Sequence, residues 1–291
     1  VWVNRRHWLE ATGRAAGAAV LAALLPPDVL RSVSAGGSRR LDRIGLQLYT
    51  VRSQMDTARG PRSVEETLDR VARIGYSEVQ FAGYFGRSPR QIRAALDASG
   101  LQAPGGHIPF PALRERWAET VEAGLVMGHR YLVVAWIPPD ERRTIDGYKR
   151  VAELFNRAAE QARSAGILFA YHNHDYEFTR LDGEVPYDVV LAAADAGLVK
   201  AEMDLFWIRK GGQDPLRYFA QYPGRFHSVH VKDMDRGGTM VDVGKGVIGF
   251  ADIFRHMDQA GIRHVFVEHD SPADPFASIR TSYAYLRQLD F

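Results

Sequence analysis

One pattern governs the chain from Leu41 onward: a short apolar run, a longer stretch with helical periodicity, then another short apolar run. Strands are expected over Ile44–Tyr49, Glu78–Phe81, Ala103–His107, Tyr131–Ala135, Leu168–His172, Lys200–Met203, Phe226–Val231 and Val265–Glu268. Helices are expected between them, over Ser63–Ile74, Ser88–Ser99, Ala112–Met127, Ile145–Ala165, Pro186–Ala194, Pro215–Gln221, Phe250–Ala260 and Phe276–Leu289. Four of these stretches run into a glycine just before the next strand (Gly75, Gly100, Gly166 and Gly261), where a left-handed residue closes a helix. Eight strand–helix pairs in about 250 residues are the size of a closed barrel of parallel strands, the (β/α)8 or TIM barrel of the α/β class. The alternative is an open doubly wound sheet. The stretch Leu48-Tyr49-Thr50-Val51-Arg52, after the first strand, carries no dinucleotide-binding glycine pattern.

The 291 residues hold 37 basic and 35 acidic side chains, a formal net charge of +2, which gives no electrostatic footprint for nucleic acid. There is no cysteine, so thiol catalysis, disulfides, zinc–cysteine sites and lipid attachment to cysteine are excluded. The N-terminus reads as an address. Asn4-Arg5-Arg6-His7-Trp8-Leu9 precedes an alanine-rich apolar run from Ala15 to Leu25, then Pro26-Pro27, then Val33-Ser34-Ala35. This order resembles a bacterial twin-arginine export signal over residues 1–35, followed by a linker over 36–42 and one barrel domain over 43–291. The expected partner is the twin-arginine translocase, and the expected location is the periplasm or beyond. The apolar run is too short to span a bilayer in the mature protein. The alternative is a basic amphipathic helix that stays attached.

In a barrel of this kind the chemistry sits where strands end and loops begin. Four candidate metal ligands occupy such positions on four successive units: His172 in FAYHNH, Asp204 in AEMDLFW, His230 in FHSVHVKD and Glu268 in VFVEHD. Two imidazoles and two carboxylates suit Mn²⁺, Zn²⁺, Co²⁺ or Fe²⁺ better than Ca²⁺ or Mg²⁺, which favour all-oxygen shells. A divalent metal on a carbonyl and its neighbouring hydroxyl acidifies the adjacent C–H and stabilises the enediolate that follows. Each residue has a plainer alternative. A buried histidine is more often satisfied by hydrogen bonds, Asp204 is a residue type that caps helices, and Glu268 is free to pair with a lysine.

Glu268, His174 and Lys232 are the candidate catalytic groups, as proton carriers or, for Lys232, as an electrostatic clamp. His107, Glu177, Trp207, Tyr49 and Lys245 are candidates for substrate binding. His107 ends the third strand and Glu177 follows the fifth; Tyr49 and Trp207 offer aromatic faces to a sugar. Lys245 lies in Gly244-Lys245-Gly246, which lacks the full phosphate-loop pattern and also reads as a plain turn. Strand alternation places His172 and His174 on one face, and His230 with Ser228 rather than His227.

With these residues in hand, the chain resembles the sugar phosphate isomerase/epimerase family, the xylose isomerase-like barrels. The resemblance runs from about Ile44 to the C-terminus. It is carried by GLQLYTVR (45–52), EVQFAGYFG (78–86), YHNHDYEF (171–178), MDLFWI (203–208), HVKD (230–233), GKGVIGF (244–250) and VEHD (267–270). It implies a divalent metal held by His172, Asp204, His230 and Glu268. Many members carry Glu at the position of His172, so the pair of metal-bound glutamates that exchange protons across a keto-sugar is reduced here to Glu268. His174, Lys232 or His107 would then supply the other base.

The leading expectation is a divalent-metal-dependent sugar isomerase or epimerase working through an enediolate on a small carbohydrate. One alternative is a metal-dependent lyase or hydrolase that opens 3-keto-glycosides by elimination, which needs one base and one metal. Another is a non-catalytic periplasmic sugar-binding barrel. Phosphodiester hydrolysis, found on the same barrel, calls for more histidines and a basic groove. Pairing into a homo-oligomer is compatible with the fold, and no interface pattern stands out.

Overall fold

The structure, a computed structural model, describes residues 39–291 apart from 57, 59 and 61. The export signal and the first part of the linker lie outside the described residues. Eight parallel strands close into a barrel: β1 (Gly45–Gln47), β2 (Glu78–Ala82), β3 (Gln102–Ile108), β4 (Tyr131–Val134), β5 (Leu168–His172), β6 (Val199–Asp204), β7 (Phe226–Val231) and β8 (His264–Val267). The closing pair is β1 with β8, with Gly45 opposite Phe266 and Leu46 opposite Val267. Among the described residues no helix is long and apolar enough to cross a membrane.

Most expected elements are present, and the differences have local causes. The first strand stops at Gln47 rather than Tyr49 because the Gln47 side chain accepts the Tyr49 N–H and starts a 3-10 turn over Leu48–Gln54. The third helix is broken at Arg116, giving Ala112–Glu115 and α3 (Trp117–Met127), and Phe250–Ala260 is broken at His256. Two elements were not expected. A short helix over Leu205–Lys210 follows β6, and a small antiparallel pair, Asp233–Met234 with Met240–Val241, follows β7. The compact unit begins at Arg40. Arg40 Nε meets Asp290 Oδ1 at 2.6 Å and Leu41 is buried, so the end of the expected linker is already tied to the barrel.

Alternation along each strand divides the side chains between two environments. Leu46, Val79, Phe81, Leu132, Val134, Phe169, Tyr171, Met203, Val229, Val231, Val265 and Val267 face outward into one continuous apolar core against the helices. Inside the barrel a small apolar cluster remains, Tyr131, Val133 and Ala170 with Leu168 packed against it. Beside it Phe266 packs on His230 and His264, and the interior otherwise carries a polar set, Gln47, Gln80, Glu202, Ser228 and His230, all buried. The outer layer carries the hydrophobic stabilisation, and the interior is left for chemistry.

Gly261 shows how tightly the helical layer is joined to the strands. It sits at φ +86°, and a Cβ there would stand 2.8 Å from the Gly224 Cα. Gly261→Ala is expected to lower stability by about 2 kcal/mol, from left-handed backbone strain together with a backbone clash. Urea unfolding measures this, and an unchanged midpoint would mean that the junction relaxes freely.

Candidate metal centre and active site

The C-terminal ends of β5, β6, β7 and the segment after β8 bring His172, Asp204, His230 and Glu268 together, with ligand atoms all within 4.8 Å of one another. All four are buried. His172 Nε2 lies 3.3 Å from Asp204 Oδ2, and His230 Nδ1 lies 2.8 Å from Glu268 Oε2. Asp204 has a divided role. Its Oδ1 caps the Leu205–Lys210 helix by accepting the N–H groups of Phe206 and Trp207, each at 2.9 Å, which leaves Oδ2 directed elsewhere.

The arrangement fits a metal ion. Both nitrogens of His172 and Asp204 Oδ2 are buried without a hydrogen bond of good geometry, which a folded protein rarely tolerates. Lys232 already places a positive charge among the same oxygens, with Nζ 3.0 Å from Asp204 Oδ2, 2.7 Å from Glu268 Oε2 and 2.8 Å from Asp270 Oδ1. Glu268 therefore pairs with a lysine and Asp204 caps a helix, as the plainer readings have it, while both retain the positions of ligands. Two nitrogens and two oxygens form a donor set of borderline softness, suited to zinc, manganese, cobalt or iron.

The charge states follow from burial set against neighbours. Burial pushes His172 down to about 4, with Asp204 opposing, so its imidazole is neutral and ready to donate a lone pair. Burial also penalises a charged His230, but Glu202 and Glu268 outweigh it and hold that imidazole up to about 10. Burial disfavours the Asp204 and Glu268 carboxylates, yet both are held below the usual range, Asp204 at about 2 by Lys232 and His172, and Glu268 by Lys232 and His230. Burial would lower Lys232, but Asp204, Glu268 and Asp270 keep it protonated well above the usual lysine range. Lys232 is thus held as a cation among three carboxylates.

Below the metal end lies a buried polar layer that sequence reading missed. Glu202 accepts from Gln80 Nε2 at 2.6 Å and from Ser228 Oγ at 2.7 Å, and its other oxygen meets His107 Nε2 at 2.7 Å and His230 Nε2 at 3.1 Å. The available signal was period-two alternation: Glu202 is two residues before Asp204 in AEMD and shares its face. Asp270 was also passed over, although it stands two residues beyond Glu268 in VEHD.

A cavity of about 750 Å³ opens above this layer, and His107, His172, His174, Lys232, Glu268 and Tyr49 line it. His107 bonds Glu202 through Nε2, which leaves Nδ1 as the ring nitrogen outside that contact. His174 reaches the cavity although β5 ends at His172. Its N–H bonds Glu177 Oε2 at 2.9 Å, and its ring stacks on Tyr176. Burial pushes His174 down to about 3, so it is a neutral and weakly basic imidazole.

Three expected substrate contacts fall elsewhere. Glu177 is fully buried, with its oxygens accepting the Tyr171 hydroxyl and the His174 N–H, so it shapes the loop and does not meet a ligand in the cavity. Trp207 is half-buried behind His174 and Lys232, with ring centroids 5.5 Å apart for the first pair and Lys232 Nζ 5.6 Å from its ring centre, and it does not line the cavity. Lys245 is exposed and outside the lining. The Gly244-Lys245-Gly246 turn is wound on Asp233, whose Oδ2 accepts the N–H groups of Gly244 and Gly246 at 2.9 Å each.

This barrel and its polar end are those of a known class. Residues 68–289 match the xylose isomerase-like TIM barrel family, and the chain belongs to it. It is 24% identical over 272 residues to an inosose dehydratase of Geobacillus kaustophilus, covering 77% of this chain and 87% of that one. A sugar phosphate isomerase/epimerase of Parabacteroides distasonis superposes with a TM-score of 0.74 at 27% identity, over 85% of this chain and 98% of that one. The IolI protein, solved with a bound zinc atom, shares the fold at a TM-score of 0.64 and 14% identity, over 83% of this chain and 95% of that one.

Glu177 makes a measurable signature. Burial raises its carboxyl to about 7, opposed by hydrogen bonds from the Tyr171 hydroxyl and the backbone. In an unfolded chain the same group titrates near ~4.3. A carboxyl raised on folding gives stability that is fully present below the unfolded value and lost as pH rises through the folded one. The stability of the native protein relative to Glu177→Gln is therefore expected to fall between about pH 4.3 and about pH 7 and to level off above. Thermal unfolding of both proteins across that range tests this; parallel curves would show that the carboxyl is not perturbed.

Proposed function

We propose that the protein is a divalent-metal-dependent enzyme of keto-sugars or keto-polyols that removes the proton beside the carbonyl and expels a group from the next carbon. One observation carries the choice of elimination over epimerisation. Of the four candidate ligands, His172 and Glu268 line the cavity, so Glu268 is the one carboxylate of the set that meets a substrate there. Proton exchange between two facing metal-held carboxylates has no second partner in this chain. The coarse class is supported by the family and by relatives that act on inosose or sugar substrates.

The bound metal would be held by His172, Asp204, His230 and Glu268, and would supply a positive charge to the oxygen where negative charge builds up. Glu268 is placed to take the proton, since Lys232 and His230 fix its orientation through Oε2. His107, bonded to Glu202 through Nε2, offers Nδ1 on another strand as the second proton site, the one that would hand a proton to the leaving oxygen. Lys232 holds Asp204, Glu268 and Asp270 together and adds positive charge near the reacting oxygen. The aromatic face of Tyr49 closes one side of the cavity. The sugar phosphate isomerase/epimerase likeness favours a second reading, in which Glu268 keeps the proton it removes and a protonated His107 delivers another to the opposite face of the same carbon.

The test is solvent deuterium exchange at the carbon beside the carbonyl, followed by NMR with an inosose and a methyl 3-keto-glucoside. Exchange is expected to stop after chelation and to return with Mn²⁺, Zn²⁺ or Co²⁺. Glu268→Gln is expected to slow it by about a hundredfold or more. Unsaturated product marks elimination, and an epimer marks the second reading. Exchange that ignores chelation would sink the proposal.

A further inference from the structure

The cavity is larger than its metal end requires. About 750 Å³ is in the range of pockets that bury drug-sized ligands, roughly 300–1,000 Å³, and a single sugar ring occupies well under half of it. The histidines, Glu268 and Lys232 account for one end. The remaining wall is of another kind: Tyr84, Ile108, Pro109, Ala112, Ala123 and Trp136, drawn from the segments after β2, β3 and β4 and from α3. Along α3 the lining residues are Arg116 at its start, Glu119, Thr120 and Ala123, and the small Ala123 and Thr120 leave space that a leucine or phenylalanine would fill.

This chamber is mostly apolar, with Arg116 and Glu119 as its charged residues at the α3 edge, and it offers no cluster of cations to a phosphate. The cations in the lining are Arg116 and Lys232 besides the histidines. Lys232 is committed to three carboxylates, and Arg116 is exposed and three residues from Glu119, an opposite charge at helical neighbour spacing. Two large aromatics are left in water on its walls, Trp136 at 47% exposure and Tyr49 at 39%. Half-exposed aromatic faces beside a polar reaction centre are what a flat apolar ligand covers.

We propose that this chamber is a subsite for an uncharged, apolar, flat group joined to the sugar, the aglycone of a glycoside, and that the substrate is a glycoside larger than a free monosaccharide. The inference deepens the reading of the metal end as the sugar-binding end and rests on it. Trp136 and Tyr84 would face the aglycone, and Ala123 sets the depth available to it.

The test compares methyl and phenyl 3-keto-β-glucosides on metal-loaded protein, with affinity read from tryptophan fluorescence and calorimetry. The phenyl compound is expected to bind about tenfold tighter than the methyl compound. Ala123→Trp should fill the chamber and reduce that ratio to about threefold or less, while the methyl compound's affinity and the metal content stay unchanged. Trp136→Ala, at an exposed site that folding tolerates, should also reduce the ratio and provides a second readout if Ala123→Trp misfolds. Equal affinity for both glycosides, failure of both to bind, or a ratio that neither substitution changes would overturn the subsite. Metal-dependent deuterium exchange on the methyl compound is the separate check: if it persists while the ratio is flat, only the subsite fails; if it is absent, the sugar reading of the metal end fails as well.

Discussion

The Glu202 carboxylate has no access to water, and much of this barrel's interior is arranged around it. Burial alone would neutralise it, yet the imidazoles of His230 and His107 hold it ionised, well below the usual carboxylate range. Gln80 and Ser228 supply its other hydrogen bonds. These partners come from β2, β3 and β7, while Glu202 itself is on β6, so one charge links four strands across the interior. Breaking a buried ionic contact by removing one partner typically costs about 3–5 kcal/mol, because the remaining charge stays buried and uncompensated. The network also decides how His230 is presented. Its Nε2 is taken by Glu202 and by Gln80 Oε1 at 2.6 Å, so Nδ1 is the nitrogen left for Glu268.

Such an interior is affordable because stability is located elsewhere. The outward faces of the strands and the inward faces of the helices form one continuous apolar core, which includes Phe81, Phe155, Phe169, Phe219 and Phe254 at full burial. Burial of apolar surface stabilises by about 25 cal/mol per Å² wherever it occurs, so the outer layer can carry the fold while the inner layer is polar. The same alternation that sends Tyr171 outward sends His172 inward, and the one that sends Met203 outward sends Glu202 and Asp204 inward.

This explains which parts of the protein could be read from its sequence. Strand–helix alternation is a period signal, and it located β5 and β7 to the residue. The convergence of His172, Asp204, His230 and Glu268 was legible because strand ends on one rim must meet when the sheet closes. What was not legible depended on side-chain geometry with no period. Gln47 ends β1 early by bonding the Tyr49 N–H, and Asp233 gathers the glycine turn around itself. Glu177 read as a substrate contact because it follows a strand that ends at the site, and only the fold shows its oxygens taken by the Tyr171 hydroxyl and the His174 N–H. Glu202 had a period-two signal, but an acidic residue at mid-strand suggests the solvent side of a sheet until closure leaves no such side.

The balance of charge at the metal end joins these observations. Glu202, Asp204, Glu268 and Asp270 are four carboxylates, against one ammonium on Lys232 and one imidazolium on His230. Four negative charges against two positive leave the cluster net negative, an environment that favours a further cation. A divalent ion held by His230 Nδ1 would take the place of the proton that this nitrogen shares with Glu268, leaving the imidazole neutral and one negative charge on the cluster. Lys232 then has Asp270 as the partner that is not a ligand candidate, and Asp270 lies on the cavity wall. Lys232 and a bound divalent ion would then be two positive charges near a substrate carbonyl in the cavity, the first held in place by Asp270 even where Asp204 and Glu268 serve as ligands.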